Sequence, residues 1–496
     1  MKRYYYTLLL VGILVCAGLS SCKKSFVEID QKQRIVATKL EHYDLLMNSR
    51  KFYTLDEGGL QVAILLGDEV SAAENFLSDN GTIETQRLFR YADLVYDDGK
   101  DSYDLKYFLN NLYTCNKVII EVPTTEDGTA QQKRSLIAEA KATRAWIYLQ
   151  MINLYAKPYN AISAANDLGF PIIETADIAH QSFTRRTVQE VYDFMLKDLT
   201  EAIPDLPLNQ KFANRMSKPA AEAILGKTYL FMNKSAEALP YLDAAITDLS
   251  KQTKPARLYN YNDEFDANST GSFLPIDEYG GPNGPGNNPN DYTESLYAVN
   301  VYVGEYQPIG IDGLLLSDPA YNLYGANDLR LFFYTDLFSS GDPIPVNPAN
   351  QQKRVRKYGY NNIKFGLQLP DLYLMRAESR VREGNLSGGL QDLMTLRNNR
   401  MPAADATVPS ATASNKLALL QFIIDERVRE FAAEGYRWFD MRRLHNDPLL
   451  GYTLKSHVEY DSEGNVSATH PLREARLTLR LPSPYITANP GMPNNP

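Results

Sequence analysis

Apolar residues recur every three or four positions along several stretches of the chain, which is the spacing of a helix buried on one side. Residues 217–232 and 236–249 show this spacing in succession, with an Asn-Lys-Ser break between them. Residues 369–400 repeat the plan around a Glu-Gly-Asn turn, and residues 132–155 and 187–203 give a further pair split by an insertion. Units of this size match a tetratricopeptide hairpin, which buries its apolar faces by stacking on its neighbours. We therefore predict a mainly α fold with three to four degenerate helical hairpins.

The last helix of this scaffold is predicted over residues 415–434. Its apolar stripe consists of Leu417, Leu420, Ile424, Val428 and Phe431. Charged residues fill the other face, where Asp425 and Arg429 are expected to form an i,i+4 pair that contributes roughly 0.2–0.5 kcal/mol if it is exposed. Gly435 is expected to end the helix in a left-handed conformation. We interpret the aromatic and charged residues that follow as packing contacts with paired charges, and a ligand site is the alternative.

Residues 252–367 lack helical periodicity and are predicted to form a long irregular insertion. Their centre, residues 280–289, contains only glycine, proline and asparagine, which suits neither a helix nor a central strand. The tyrosines around it are Tyr259, Tyr261, Tyr279, Tyr292, Tyr297, Tyr302 and Tyr306. Nearer the amino terminus, residues 81–102 are predicted to be rich in loops. Binding residues usually lie on such irregular segments, held by a rigid scaffold.

Residues 1–21 have the organisation of a signal peptide. Lys2 and Arg3 precede an apolar run at residues 7–19, which is too short to span a bilayer comfortably. The Leu-Ser-Ser-Cys sequence that ends at Cys22 resembles a bacterial lipobox. Cys22 is therefore predicted to be the lipidated first residue of the mature chain, and an ordinary secretory signal is the alternative.

The predicted lipid anchor sets the domain organisation. Each buried CH₂ of an acyl chain contributes about 0.8 kcal/mol, so two or more chains hold a protein stably on a membrane. Residues 22–35 would form a tether, and residues 36–496 a single domain that contains the insertion at 252–367. No later run is long and apolar enough to be a transmembrane segment.

Composition and motifs argue against several classes of function. The formal net charge is −9, and no basic run suited to phosphates is present, so nucleic acid is not an expected partner. The five histidines show no metal-ligand spacing, and the serine-hydrolase, phosphate-loop and dinucleotide motifs are missing. We expect no metal, no cofactor and no catalytic residue. The two tryptophans, Trp146 and Trp438, fall in helix-core patterns, so the abundant tyrosines are the candidate binding aromatics.

Three strings of the sequence resemble the signatures of one known family. Residues 426–443 read ERVREFAAEGYRWFDMRR, residues 138–148 read AEAKATRAWIY, and residues 198–207 read DLTEAIPDLP. They resemble motifs of the SusD/RagB family, the outer-membrane nutrient-binding lipoproteins of Bacteroidetes. The resemblance spans nearly all of residues 22–496. It implies a SusD-like scaffold on the cell surface, and a SusC-like TonB-dependent transporter as the partner.

The resemblance also implies a non-catalytic protein that captures oligosaccharides for that transporter. A tyrosine ring can cover the apolar face of a sugar, and burying about 50 Å² of it contributes roughly 1 kcal/mol. The predicted ligand-binding residues are Tyr91, Tyr96, Tyr279, Tyr292 and Tyr297. Two alternatives stay open: the same fold could bind a peptide or another nutrient, or the protein could be a lipid-anchored glycan hydrolase.

Overall fold

The computed structural model of the chain describes residues 37–55, 61–176, 182–302, 313–347, 349, 353–358 and 362–496. The predicted signal peptide, Cys22 and the tether at 22–35 lie outside the described residues. Within the described ranges, none of the helices combines the length and the apolar character needed to cross a membrane.

The described residues form a mainly α fold, as predicted. The helices of the first half are α1 (Leu40–Met47), α2 (Gln61–Leu66), α3 (Glu74–Asn80), α4 (Ile83–Phe89), α5 (Tyr103–Glu121), α6 (Ala130–Tyr155), α7 (Val188–Ala202), α8 (Lys218–Phe231) and α9 (Ser235–Leu249). Those of the second half are α10 (Tyr261–Glu264), α11 (Asp318–Tyr321), α12 (Leu369–Arg382), α13 (Leu386–Arg397), α14 (Ala403–Ala406), α15 (Ser410–Ala413), α16 (Lys416–Phe431), α17 (Tyr436–His445) and α18 (Ser483–Ala488).

The predicted helical pairs form and stack on one another. Helix α6 packs against α7, α8 against α9, and α12 against α13. Helix α12 also contacts α9 and α16, which joins the pairs into one core. The first turn of α7 is closed by a capping box, in which Thr187 and Glu190 each accept a hydrogen bond from the other's backbone N–H. Trp146 and Trp438 are buried in this core, as their patterns predict.

Short strands connect the insertion to both ends of the chain. They are β1 (Thr54–Leu55), β2 (Val70–Ala73), β3 (Ser295–Tyr297), β4 (Asn300–Tyr302), β5 (Leu314–Leu316), β6 (Tyr334–Thr335), β7 (Arg356–Lys357), β8 (Asn362–Lys364), β9 (Leu367–Gln368), β10 (Ser456–Tyr460) and β11 (Val466–Pro471). One sheet has the order β11-β10-β2-β5, in which β10 and β2 run parallel. These strands were not predicted, because most are too short to show alternation.

Three local expectations differ from the structure. Residues 81–102 contain helix α4, so the prediction of a loop-rich segment is only partly right. Leu417 is 50% exposed, and the buried stripe of α16 begins further along, at Leu419 and Leu420. Gly435 does adopt a left-handed φ of +88°, but α16 has already ended at Phe431, so this glycine begins α17 instead.

Candidate functional site

The charged residues of α16 and α17 lie inside the scaffold. Arg427 donates to Asp371 of α12 and to Asp440 of α17, each at 2.7 Å. Arg443 donates to Asp440 at 2.8 Å and to Glu378 of α12 at 2.7 Å. All five side chains are buried. We call Asp371, Glu378, Arg427, Asp440 and Arg443 the charge network, because they tie three helices together.

The carboxyl groups of the charge network are held in their ionised form. Burial favours the neutral acid, but the charges of Lys227 and Arg427 outweigh burial and hold the pKa of Asp371 below its usual value. The pKa of Asp440 is lowered to about 2 because Arg427 and Arg443 likewise outweigh burial. This arrangement confirms the interpretation of the stretch as packing contacts with paired charges.

The predicted i,i+4 pair between Asp425 and Arg429 does not form. Arg429 is buried and donates to Glu426 at 2.9 Å, whereas Asp425 accepts a hydrogen bond from Gln421 at 2.8 Å. Glu426 also pairs with Arg330 of the insertion at 2.8 Å. The polar face of α16 is therefore buried against the insertion, which the period of its apolar stripe could not show.

A pocket of about 130 Å³ opens where the insertion meets the carboxyl end of α16. The glycine-rich segment contributes residues between 280 and 287 to its lining, and α16 and the turn after it contribute residues between 429 and 434. Six aromatic side chains line it, of which Tyr259, Phe333 and Tyr358 are half-buried, and Tyr261, Tyr334 and Phe431 are buried. We call it the insertion pocket.

A buried arginine fixes the base of the insertion pocket to the scaffold. The guanidinium of Arg400 is fully buried and donates to Glu430 of α16 and to Glu294 of the insertion, each at 2.8 Å. It also donates to the carbonyl of Tyr259 at 2.7 Å and lies 4.3 Å from the centre of the Tyr261 ring. The loops around the pocket are thus anchored by charge-assisted hydrogen bonds rather than by regular secondary structure.

Aromatic packing shapes the wall beside this anchor. The ring of Tyr261 lies 5.7 Å from that of Phe273 and 5.5 Å from that of Phe333. Across the pocket the backbone of Gly281 passes so close to Tyr358 that an added Cβ would lie 2.4 Å from that ring. Gly281 also has a φ of +76°, which favours glycine. The glycine-rich segment is therefore needed for the close contact that places Tyr358 at the pocket.

Hydrogen-bonding groups of both charges face the same pocket. Lys364 donates to the carbonyl of Asn288 at 2.7 Å, and burial lowers the pKa of this lysine to about 8. Glu434 is paired with Lys357, yet burial raises the pKa of Glu434 above its usual value. Asp291 accepts a hydrogen bond from the hydroxyl of Tyr259 at 2.7 Å. Flat rings beside such donors and acceptors suit a ligand with apolar faces and many hydroxyl groups.

The structure does not bring the five predicted tyrosines together. Tyr297 is 1% exposed and Tyr91 is 4% exposed, so neither offers a ring face to a ligand. Tyr96 is half-buried, and its hydroxyl donates to Ser102 at 3.2 Å. Tyr279 is 52% exposed, and Tyr292 is half-buried under the ammonium of Lys364. Ligand binding by the three accessible tyrosines stays a prediction.

Sequence reasoning located the insertion but not the residues of its pocket. Tyr259 and Tyr261 belong to the tyrosines around the glycine-rich segment, but nothing in the sequence distinguishes them from the others. The contribution of residues 429–434 was missed because they belong to a helix that is distant in sequence. Nothing in the sequence around Arg400 indicates that its partners, Glu294 and Glu430, are 30 or more residues away.

Family models and relatives agree with this architecture. Residues 67–230 match a SusD-like model described as starch-binding and associating with the outer membrane, and residues 345–496 match a model described as the SusD family. The chain is 22% identical to SusD-like protein P2 of Formosa agariphila, with all of both chains covered. Neither family model reaches residues 231–344, which hold much of the insertion pocket.

Solved structures share the fold across the whole domain. A putative sugar binding protein from Bacteroides vulgatus superposes with a TM-score of 0.69 at 19% identity, covering 93% of this chain and 99% of that one. A SusD superfamily protein from Bacteroides thetaiotaomicron gives 0.69 at 18% identity, covering 92% and 100%. With its helical pairs, its signature strings and both family models in agreement, the chain belongs to the SusD/RagB family.

Proposed function

We propose that this protein captures oligosaccharides at the outer membrane and passes them, chemically unchanged, to a SusC-like TonB-dependent transporter. The observation that carries the proposal is the insertion pocket, in which tyrosine and phenylalanine rings stand beside lysine, carboxylate and backbone groups. The starch binding ascribed to the matching family and the sugar binding ascribed to the Bacteroides vulgatus relative support sugar as the ligand class. Oligosaccharide is therefore favoured over peptide.

The proposed mechanism is reversible binding without catalysis. Sugar rings would lie against the half-buried rings of Tyr259, Phe333 and Tyr358, and each ring contact that buries about 50 Å² contributes roughly 1 kcal/mol. Side chains such as Lys364 and Asn287 would hydrogen-bond the sugar hydroxyls. Several weak contacts of this kind give an affinity sufficient for capture and low enough for release. No step in this cycle makes or breaks a covalent bond.

The membrane anchor belongs to the same proposal. Residues 1–21 would be removed as a signal peptide, Cys22 would carry the acyl chains, and residues 22–35 would link them to a single domain at 36–496. The lipid would hold the domain at the surface beside its transporter. Mass spectrometry of the purified protein tests this directly: a mature chain that begins at acylated Cys22 is expected, and an unmodified cysteine there would contradict the anchor.

Calorimetric titration with a panel of oligosaccharides tests the binding function. The full-length protein in detergent is titrated, and the ligand is recovered afterwards and checked for cleavage. We expect at least one oligosaccharide to bind and to be recovered intact. Cleavage would move the assignment to a glycan hydrolase, and failure of all sugars with binding of peptides would move it to a peptide receptor.

A matched pair of variants locates the site. Tyr358→Ala removes a ring of the insertion pocket and is expected to weaken binding about fivefold, the equivalent of roughly 1 kcal/mol. Tyr113→Ala removes an exposed ring on α5, outside the pocket lining, and is expected to leave affinity unchanged. Equal effects of the two substitutions would contradict binding at the insertion pocket.

A further inference from the structure

A second and larger recess adjoins the insertion pocket. It has a volume of about 640 Å³, and Ser295 lines both recesses. Its walls come from residues 209–217 before α8, residues 252–257 after α9, and residues 292–296 of the insertion. We call it the basic cleft, for the charges described next.

The basic cleft gathers cations without acids. Lys211, Lys254 and Arg257 line it and are exposed, and none of the three forms an ion pair with a described carboxylate. No aspartate or glutamate is among its lining residues in the part of the chain that the structure describes. The nearby Arg215 is different, since it is buried and bonded to Glu139. Arg257 also lies 5.3 Å from the centre of the Tyr259 ring and interacts electrostatically with Glu264, which is outside the cleft lining. Three exposed cations around one recess contrast with the net charge of −9 of the whole chain.

The walls of the basic cleft are held in place before any ligand binds. The side chain of Asn209 accepts a hydrogen bond from the backbone N–H of Thr253 at 2.8 Å, and Gln252 donates to the carbonyl of Leu208 at 2.6 Å. These bonds join the two loops that carry Lys211 and Lys254. A site whose walls are already fixed loses less conformational entropy when a ligand binds.

Rings and a helix terminus add to the same recess. Phe212 is 43% exposed, with the ammonium of Lys211 5.2 Å from its ring centre, and Tyr292 lines the opposite loop. Ser217 precedes the first turn of α8, and its buried hydroxyl has no hydrogen-bond partner among the described residues. The start of a helix carries partial positive charge, which favours an anion in the same way as the three cations.

We propose that the basic cleft binds the anionic groups of an acidic oligosaccharide whose neighbouring sugar rings occupy the insertion pocket. This inference rests on the proposed function and narrows its substrate class to glycans that carry carboxylate or sulfate groups. The aromatic rings would contact the sugar, and Lys211, Lys254 and Arg257 would contact the charges. Ser295 lines both recesses, and the proposal requires a chain of several sugars that is long enough to reach from one to the other.

The test compares size-matched acidic and neutral ligands. The full-length protein is titrated with tetragalacturonate and its neutral methyl ester, and with a sulfated galactan tetramer and its desulfated form. Each titration is run at low and at high sodium chloride. We expect at least one acidic ligand to bind tenfold or more tightly than its neutral counterpart, and this advantage to shrink with salt because free ions screen the cations.

A charge-removing variant assigns the effect to the basic cleft. Lys211→Gln, Lys254→Gln and Arg257→Gln together are expected to remove the acidic preference and its salt dependence, while binding of the neutral ligand is retained. The control variant combines Lys106→Gln, Lys197→Gln and Arg480→Gln, which removes three exposed cations outside the cleft lining. An equal loss of the acidic preference in both variants would overturn the inference. It would show that the preference comes from the total charge of the protein and not from the basic cleft.

The remaining outcomes separate this inference from the function on which it rests. Binding of neutral oligosaccharides without an acidic preference overturns the inference and leaves the capture function standing. Failure of acidic and neutral ligands alike overturns this inference, and the capture function is then decided separately by the wider oligosaccharide panel. Preference for the uronate pair or for the sulfated pair identifies which anionic group the cleft accepts.

Discussion

The charge network and the basic cleft use the same residue types in opposite ways. In the charge network each arginine is buried and bonded to two carboxylates, and the network joins α12, α16 and α17. In the basic cleft the lysines and the arginine are exposed, and no described carboxylate pairs with them. One region uses its charges internally to fix the fold, and the other leaves them available to a ligand.

The difference shows how burial decides what a charge can do. A buried cation that lost its partners would remain desolvated and unpaired, so it is committed to the fold. An exposed cation is solvated by water and contributes little to stability, so it can exchange water for a ligand anion at small cost. Charge pairing thus separates the cations that are committed to the fold from those that stay exposed to solvent.

The largest effect is expected from breaking the charge network. Arg427→Ala leaves Asp371 and Asp440 buried with fewer cationic partners, and should lower the free energy of unfolding by about 3–5 kcal/mol. Urea denaturation followed by circular dichroism measures it. The matched substitution Arg257→Ala in the basic cleft should change the free energy of unfolding by no more than about 0.5 kcal/mol. Comparable losses in the two variants would remove the distinction between the regions.

Acid should weaken the charge network. The pKa values of Asp371, Glu378 and Asp440 lie below those of an unfolded chain, that of Asp440 at about 2. Carboxyl groups of this kind stabilise the fold above about pH 4 and lose that contribution as pH falls toward their folded pKa. The urea midpoint is therefore expected to fall steadily between pH 5 and about pH 2. A midpoint that stays constant over this range would show that the network contributes nothing.

A smaller and opposite pH effect is expected at Glu69. Burial, and then the charge of Asp68, raise the pKa of Glu69 to about 8, and its Oε2 has no hydrogen-bond partner among the described residues. Ionisation of this carboxyl should cost stability progressively as pH rises from about 4 to about 8. Glu69→Gln avoids that cost and should be more stable than the wild type by more than about 1 kcal/mol at pH 8, with little difference at pH 5. A difference that is independent of pH would contradict the raised pKa.

The smallest effect is expected on the surface of the helix that carries Arg427. Leu417→Ser replaces a half-exposed leucine of α16 and should alter the free energy of unfolding by about 0.5 kcal/mol or less. Leu420→Ala, three residues on and fully buried, should cost about 2–5 kcal/mol. The pair measures how sharply burial changes along one helix. A large loss for Leu417→Ser would mean that this side chain is covered by a partner.

The sequence predicted the helical scaffold well because helices longer than ten residues show their period clearly. Helices α6 and α7 both form where the pattern places them. The same pattern misled at Leu417 and at the pair Asp425–Arg429, since periodicity shows which positions are apolar and not which neighbours cover the other face. Strands of two to four residues gave no periodic signal at all.

The candidate site was predictable only in outline. Glycine, proline and asparagine located the insertion, but its contacts depend on residues far apart in sequence, such as Glu294 with Arg400. Lys211, Lys254 and Arg257 form no run in the sequence, so the basic cleft exists only once α8 and α9 bring their loops together. Burial of Tyr91 and Tyr297 likewise follows from tertiary packing.

The four-stranded sheet has a consequence for the order in which the protein folds. Its central pairing joins Ala72 of β2 to Glu459 of β10, and β5 of the insertion completes the opposite edge. Contacts between such distant parts of a chain form slowly. In a nascent or truncated chain without β10 and β11, one edge of the apolar strand β2 would be unpaired. An unpaired strand edge of this kind is a template for aggregation. Proteolysis or premature termination near the carboxyl end should therefore harm solubility as well as shorten the domain.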